Sequence, residues 1–96
     1  MGYNLPDRVL KDIRIIACRH NIDKVILFGS RARGNYVDRS DIDLAVAGGD
    51  FDSFYWDINE NVHSLLTFDL VKLEQNGSEE LKEEIEKDGI TIYEKA

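Results

Sequence analysis

The segment 25–47 constrains the fold of this 96-residue chain more than any other. Val25-Ile26-Leu27-Phe28 is an apolar run with the length and β-branched character of a buried strand. It stops at Gly29, and Ser30 to Arg33 read as the first turn of a short helix. A strand passing through Gly-Ser into a helix start gathers free backbone N–H groups, a hydroxyl and a positive dipole end in one place. That is a cradle for phosphate. The plainer reading of Gly29-Ser30 is a strand-to-helix turn with Ser30 as its cap. After a polar loop over 34–40, residues 41–47 read as a second strand. Its alternation puts Asp41 and Asp43 on one face and turns Ile42, Leu44 and Val46 into a core.

Two adjacent carboxylates repel each other and lose hydration, so a strand start that carries both calls for a cation. Hard oxygen ligands at this spacing suit Mg²⁺, which takes one or two carboxylates and completes its shell with substrate phosphates. A phosphate cradle and a magnesium pair within one segment predict phosphoryl or nucleotidyl transfer. A third strand is expected over Thr67–Glu74, where Asp69 shares a face with Thr67 and Val71 and Lys72 points the opposite way. An acid among Leu66, Phe68, Leu70 and Val71 is costly to bury unless it is paired or near a cation. Asp69 therefore either faces solvent from an edge strand or, if this strand lies beside the second, approaches Asp41 and Asp43.

Gly29-Ser30, ten intervening residues and then Asp41-x-Asp43 resemble the signature of the nucleotidyltransferase superfamily that includes DNA polymerase β. The chain is most similar to the minimal nucleotidyltransferases (MNT proteins) found beside HEPN-domain partners, and the likeness runs from about Leu5 to Tyr93. That resemblance implies an α/β (α+β) fold, a small mixed β-sheet with helices packed mainly on one face. It implies that Phe68-Asp69-Leu70-Val71 supplies the third carboxylate. Asp41, Asp43 and Asp69 are then the catalytic and metal residues for two Mg²⁺ ions, and Gly29 and Ser30 hold the nucleotide phosphates. Arg31 and Arg33 are expected near the triphosphate, although a solvated face, or pairing with Asp38 or Asp41, is the plainer role for them.

The implied reaction moves AMP from ATP to a hydroxyl of a HEPN-type toxin, for which the chain acts as antitoxin. Larger relatives carry an acceptor-binding domain, and the expectation here is an acceptor site supplied in trans. The rival readings are a non-catalytic module that neutralises its partner by contact, and a stand-alone transferase acting on a small molecule.

Composition narrows the setting. Acids exceed bases by 19 to 12, giving a net charge of −7, which argues against nucleic acid as substrate because such binding relies on clustered Lys and Arg. No apolar run approaches the ~20 residues a membrane span needs, and the N-terminus does not read as a signal peptide. The single cysteine excludes an internal disulfide. These features predict a cytoplasmic protein with one domain over 1–96, small enough that a partner or self-association would help stabilise it.

The remaining elements follow from periodicity. A helix is expected over 6–20 with Val9, Ile13, Ile16, Ala17 and His20 on one face, ended by Asn21 in a left-handed conformation. Cys18 reads as a small core or boundary residue and His20 as a cap or surface residue. Gly48-Gly49 breaks the chain, and Asp50 or Ser53 caps a second helix with an apolar stripe of Phe51, Phe54, Tyr55, Ile58, Val62, Leu65 and Leu66. Trp56 falls off the stripe's centre, where exposure or partner docking is expected, and His63 falls on the polar side. After a turn at 75–77, Ser78 caps a third helix with Leu81 and Ile85 in its seam, an acidic solvated face, and an end at Lys87 and Gly89. Ile90–Tyr93 forms a last strand at a sheet edge.

Overall fold

The apolar spacing at Val9, Leu10, Ile13, Ile16 and Ala17 winds the first helix, α1 (Asp7–Arg19), and buries one side of it. Asp7 and Arg19 complement the dipole at its two ends. A Schellman closure stops it: Ile22 N–H reaches the Ala17 carbonyl at 3.0 Å, Asn21 N–H reaches Cys18 at 3.2 Å, and Asn21 takes φ 58°. This is the left-handed terminator that the sequence predicts.

The structure is a computed structural model and describes residues 5–29, 32, 34, 41–62, 67–73 and 79–95. Among these, α1 is followed by β1 (Lys24–Phe28), β2 (Ile42–Ala47), α2 (Phe51–Asn61), β3 (Phe68–Lys72), α3 (Glu79–Asp88) and β4 (Ile90–Glu94). The strands form one mixed sheet in the order β3-β2-β1-β4. β1 runs antiparallel to β2 and to β4, while β2 and β3 are parallel. β4 sits at the edge, as expected.

Alternation along the strands divides the sheet into two faces. Val25, Leu27, Ile42, Leu44, Val46 and Phe68 join α1 and α2 in the main core, where Phe54, Ile13 and Ile58 are fully buried. Phe28 and Ala45 project to the other face and meet Ile85 of α3 in a smaller cluster. Two helices thus cover one face and the third covers part of the other, which matches the predicted small mixed sheet with most of its helices on one side. Arg14 Nε donates to the Ile92 carbonyl at 2.8 Å and ties α1 to the β4 edge.

Several expectations need correction. Cys18 is exposed, because its helical position places it beside Arg14 on the flank of α1 rather than on the buried stripe. Burial raises the Tyr93 hydroxyl above its ordinary pKa, and the neighbouring Cys18 adds to the shift. Tyr55 is 39 % exposed, because one helical step from Phe54 turns it away from the sheet. α2 ends at Asn61, and Val62 follows in an extended conformation while remaining buried. His63, Leu65, Leu66 and Ser78 lie outside the described residues, and the side chain of Leu81 is likewise not described.

Other expectations hold. Gly48 and Gly49 both take positive φ, +73° and +70°, and reverse the chain out of β2. The Asp50 carboxylate then caps α2, accepting from Ser53 N–H at 3.2 Å and Ser53 Oγ at 2.8 Å. These bonds hold the Asp50 pKa below its usual value. Trp56 is 63 % exposed. Among the described residues no helix is long and apolar enough to cross a membrane.

A polar cluster that the sequence reading missed joins α1 to α2. The Asp57 carboxylate, only 8 % exposed, receives Arg19 Nη1 at 3.0 Å, His20 Nε2 at 2.7 Å and Asn61 Nδ2. Its pKa is lowered, chiefly by the His20 hydrogen bond, against the opposing effect of burial. His20 is thus the C-cap of α1, as expected, and its side chain is an interhelical partner of Asp57 rather than a surface group. The signal was present in the two periodicities: His20 falls on the apolar face of α1, and Asp57 stands between the core-facing Phe54 and Ile58.

Candidate active site

Asp43 occupies the middle of three adjacent strands near the end of the sheet where β2 begins. Its register partner on β3 is Asp69 and on β1 is Phe28. Residues directly paired in a ladder project to the same face, so the Asp43 and Asp69 side chains stand next to each other across a strand spacing of about 4.8 Å. Asp41 precedes β2 by one residue and shares the face of Asp43, about 6.6 Å away along the strand. The bond from Ile42 N–H to the Thr67 carbonyl, 2.9 Å, extends the parallel pairing to this end of the sheet and fixes the register. Asp41 and Asp69 are exposed, and Asp43 is half-buried.

Gly29 sets the floor. It follows β1 with φ +78°, and a Cβ placed on it would lie 2.2 Å from Asp43 Oδ2. The carboxylate of Asp43 thus rests against a backbone that only glycine leaves bare. The turn that begins the proposed phosphate cradle and the central carboxylate are in direct apposition. Ala32, in helical conformation, packs against the main core beyond that turn. Ser30, Arg31 and Arg33 lie outside the described residues.

The donor set consists of oxygens only, which suits a hard divalent cation. Among the described residues, no three Asp, Glu, His or Cys side chains gather closely enough to hold one metal ion by themselves. Mg²⁺ takes one or two carboxylates and draws its remaining ligands from water and substrate phosphate. Lys72 projects to the opposite face, as predicted, with Nζ 5.8 Å from the centre of the Phe51 ring. Its charge is therefore on the far side of the sheet from the aspartates.

Comparison with known proteins identifies a family and a fold. Residues 11–96 match the family model described as "Polymerase beta, Nucleotidyltransferase". A 35-residue stretch is 57% identical to a candidate protein adenylyltransferase, MJ0604 of Methanocaldococcus jannaschii, and covers 35% of this chain and 35% of that relative. A crystal structure of a toxin-antitoxin with AMP-PNP superposes with a TM-score of 0.69 at 24% identity, covering 90% of this chain and 73% of that one. A double aspartate-to-glutamate variant of the toxin-antitoxin MntA-HpeT gives the same TM-score at 22% identity, with the same coverage. Likeness at this identity establishes a shared fold.

Proposed function

This chain belongs to the polymerase β nucleotidyltransferase family, and we propose that it transfers AMP from ATP to a hydroxyl of a partner protein at Asp41, Asp43 and Asp69. The observation that carries this reading is the register of β2 on β3, which sets Asp43 beside Asp69 above the bare backbone of Gly29. Two of the similar proteins support it: one is a candidate protein adenylyltransferase, and another is a toxin-antitoxin with an ATP analogue. The MntA-HpeT variant replaces two aspartates spaced as Asp41 and Asp43 are here.

In the proposed reaction the acceptor oxygen forms a bond to the α-phosphorus of ATP, and the bond from that phosphorus to the bridging oxygen of pyrophosphate breaks. The backbone at Gly29 and the Ser30 N–H and hydroxyl donate to the β- and γ-phosphates and hold the leaving group in line. Arg31 and Arg33 flank the triphosphate. Asp41 and Asp43 would hold two Mg²⁺ ions, and Asp69 would complete the second site and accept the proton of the acceptor hydroxyl. The ions would supply neutralisation of the phosphate charge and a lowered pKa for that hydroxyl. Positioning and charge then account for most of the rate.

The partner in this reading is a HEPN-type toxin, and AMP addition silences it. The test is pyrophosphate release from each of the four NTPs with that partner present, in Mg²⁺ and in EDTA. Release with ATP and Mg²⁺ that stops on chelation supports the reading. A partner neutralised equally well in EDTA, with no pyrophosphate formed, assigns the chain to the contact-only antitoxins.

A further inference from the structure

The large apolar side chains exposed among the described residues are Ile15, Tyr55 and Trp56. All three stand on α1 and α2, the two helices that cover the sheet face opposite Asp43 and Asp69. Their surroundings are patterned by charge. On α1, Lys11, Ile15 and Arg19 recur every four residues, all exposed, with exposed Arg8 on the same side. On α2, Asp52, Trp56 and Glu60 recur at the same interval and are also exposed. One helix thus shows an apolar centre between positive charges, of which Arg19 also bonds Asp57 while staying more than half exposed, and its neighbour shows an apolar centre between negative ones. Between the helices lies a groove of about 300 Å³ lined by Asp12, Ile15, Ile16, Arg19 and Asn61, roomy enough for an indole ring.

We propose that this α1–α2 face is the interface between two copies of this chain, with Lys11, Ile15 and Arg19 of each copy set against Asp52, Trp56 and Glu60 of the other. An isologous two-fold contact requires one surface to be complementary to itself, and a basic stripe beside an acidic stripe of equal spacing meets that requirement. A two-fold rotation that lays α1 on the second copy's α2 necessarily lays α2 on the second copy's α1. Each Trp56 then fills the groove beside Ile15 of the other copy. The face runs about 20 Å along α1 and about 16 Å along α2, and contact along two such short helices gives a reversible dimer. The inference is independent of the transfer chemistry, because the aspartates stay open on the far face.

Light scattering coupled to size exclusion tests it on the full chain without nucleotide, at loading concentrations up to about 100 µM, where a reversible dimer is populated. The parent is expected to approach twice the 11.0 kDa chain mass, and Trp56→Ala is expected to run at the single-chain mass. Two charge-reversed variants, Asp52→Lys/Glu60→Lys and Arg8→Glu/Lys11→Glu, are each expected to be monomeric alone and to dimerise when mixed in equal amounts. That recovery also shows that both variants remain folded. A parent that stays monomeric throughout overturns the proposal. So does a dimer that survives in either reversed variant, or a face that assembles only with a different protein.

Discussion

Asp43 and Asp69 are register partners on adjacent parallel strands, so their carboxylates face the same way at the same height of the sheet. Two like charges at a strand spacing repel. Such an arrangement serves a cation better than it serves stability. Replacing Asp43 or Asp69 by Asn should lower nucleotidyl transfer by roughly 10²-fold or more. Asp69→Asn should not lower the melting temperature, because it removes repulsion at an exposed position. Transfer rates and thermal melts on the same preparations check both halves of this expectation.

Gly29→Ala should damage the site and the fold together. The new methyl would occupy the place of Asp43 Oδ2, and alanine would be held at φ +78°. The backbone strain alone costs about 1–2 kcal/mol, which urea denaturation would read. Displacement of Asp43 should reduce transfer more steeply than that loss of stability explains.

Much of this site is visible in the sequence, for physical reasons that can be named. Asp41, Ile42 and Asp43 alternate, so side-chain direction follows from the strand period alone, and the break at Gly29 marks the end of β1. That Asp69 stands beside Asp43 depends on β3 joining β2 in parallel, a long-range pairing that no local pattern specifies. Asp57 was missed because a carboxylate inside an apolar helix reads as a solvated residue until its partners on α1 are known. Tyr55 was misplaced because a three-and-four stripe is broad enough to include its flank, and only the packed sheet shows where burial ends.

Phe54 and Tyr55 make that last distinction measurable. Phe54 is fully buried and Tyr55 is 39 % exposed. Phe54→Ala should cost about 3–5 kcal/mol, whereas Tyr55→Ala should cost about 1 kcal/mol or less. Equal losses in chemical denaturation would show that the two share the core.

Asp57 gives the chain an acid-sensitive link between α1 and α2. Its folded pKa lies below the ordinary value of an aspartate, so the unfolded chain takes up this proton first as pH falls. The stabilisation is complete above the unfolded value and is lost as pH drops through the folded one. Asp57→Asn should therefore be less stable than the parent at neutral pH and should converge with it in acid. Asp57→Ala, which leaves the His20 ring and Asn61 without their acceptor while Arg19 stays solvated, should cost about 1–3 kcal/mol. Thermal melts between neutral pH and acid on the three proteins would check the order.

The central claim is that the aspartates on the open face of the sheet transfer a nucleotide to a protein. Its most direct test is the intact mass of the proposed HEPN-type partner after incubation with the chain, ATP and Mg²⁺. The account predicts a gain of one or more AMP units with the parent and none with Asp41→Ala/Asp43→Ala. An unchanged mass beside a stable complex, or an equal gain with the double variant, would contradict it.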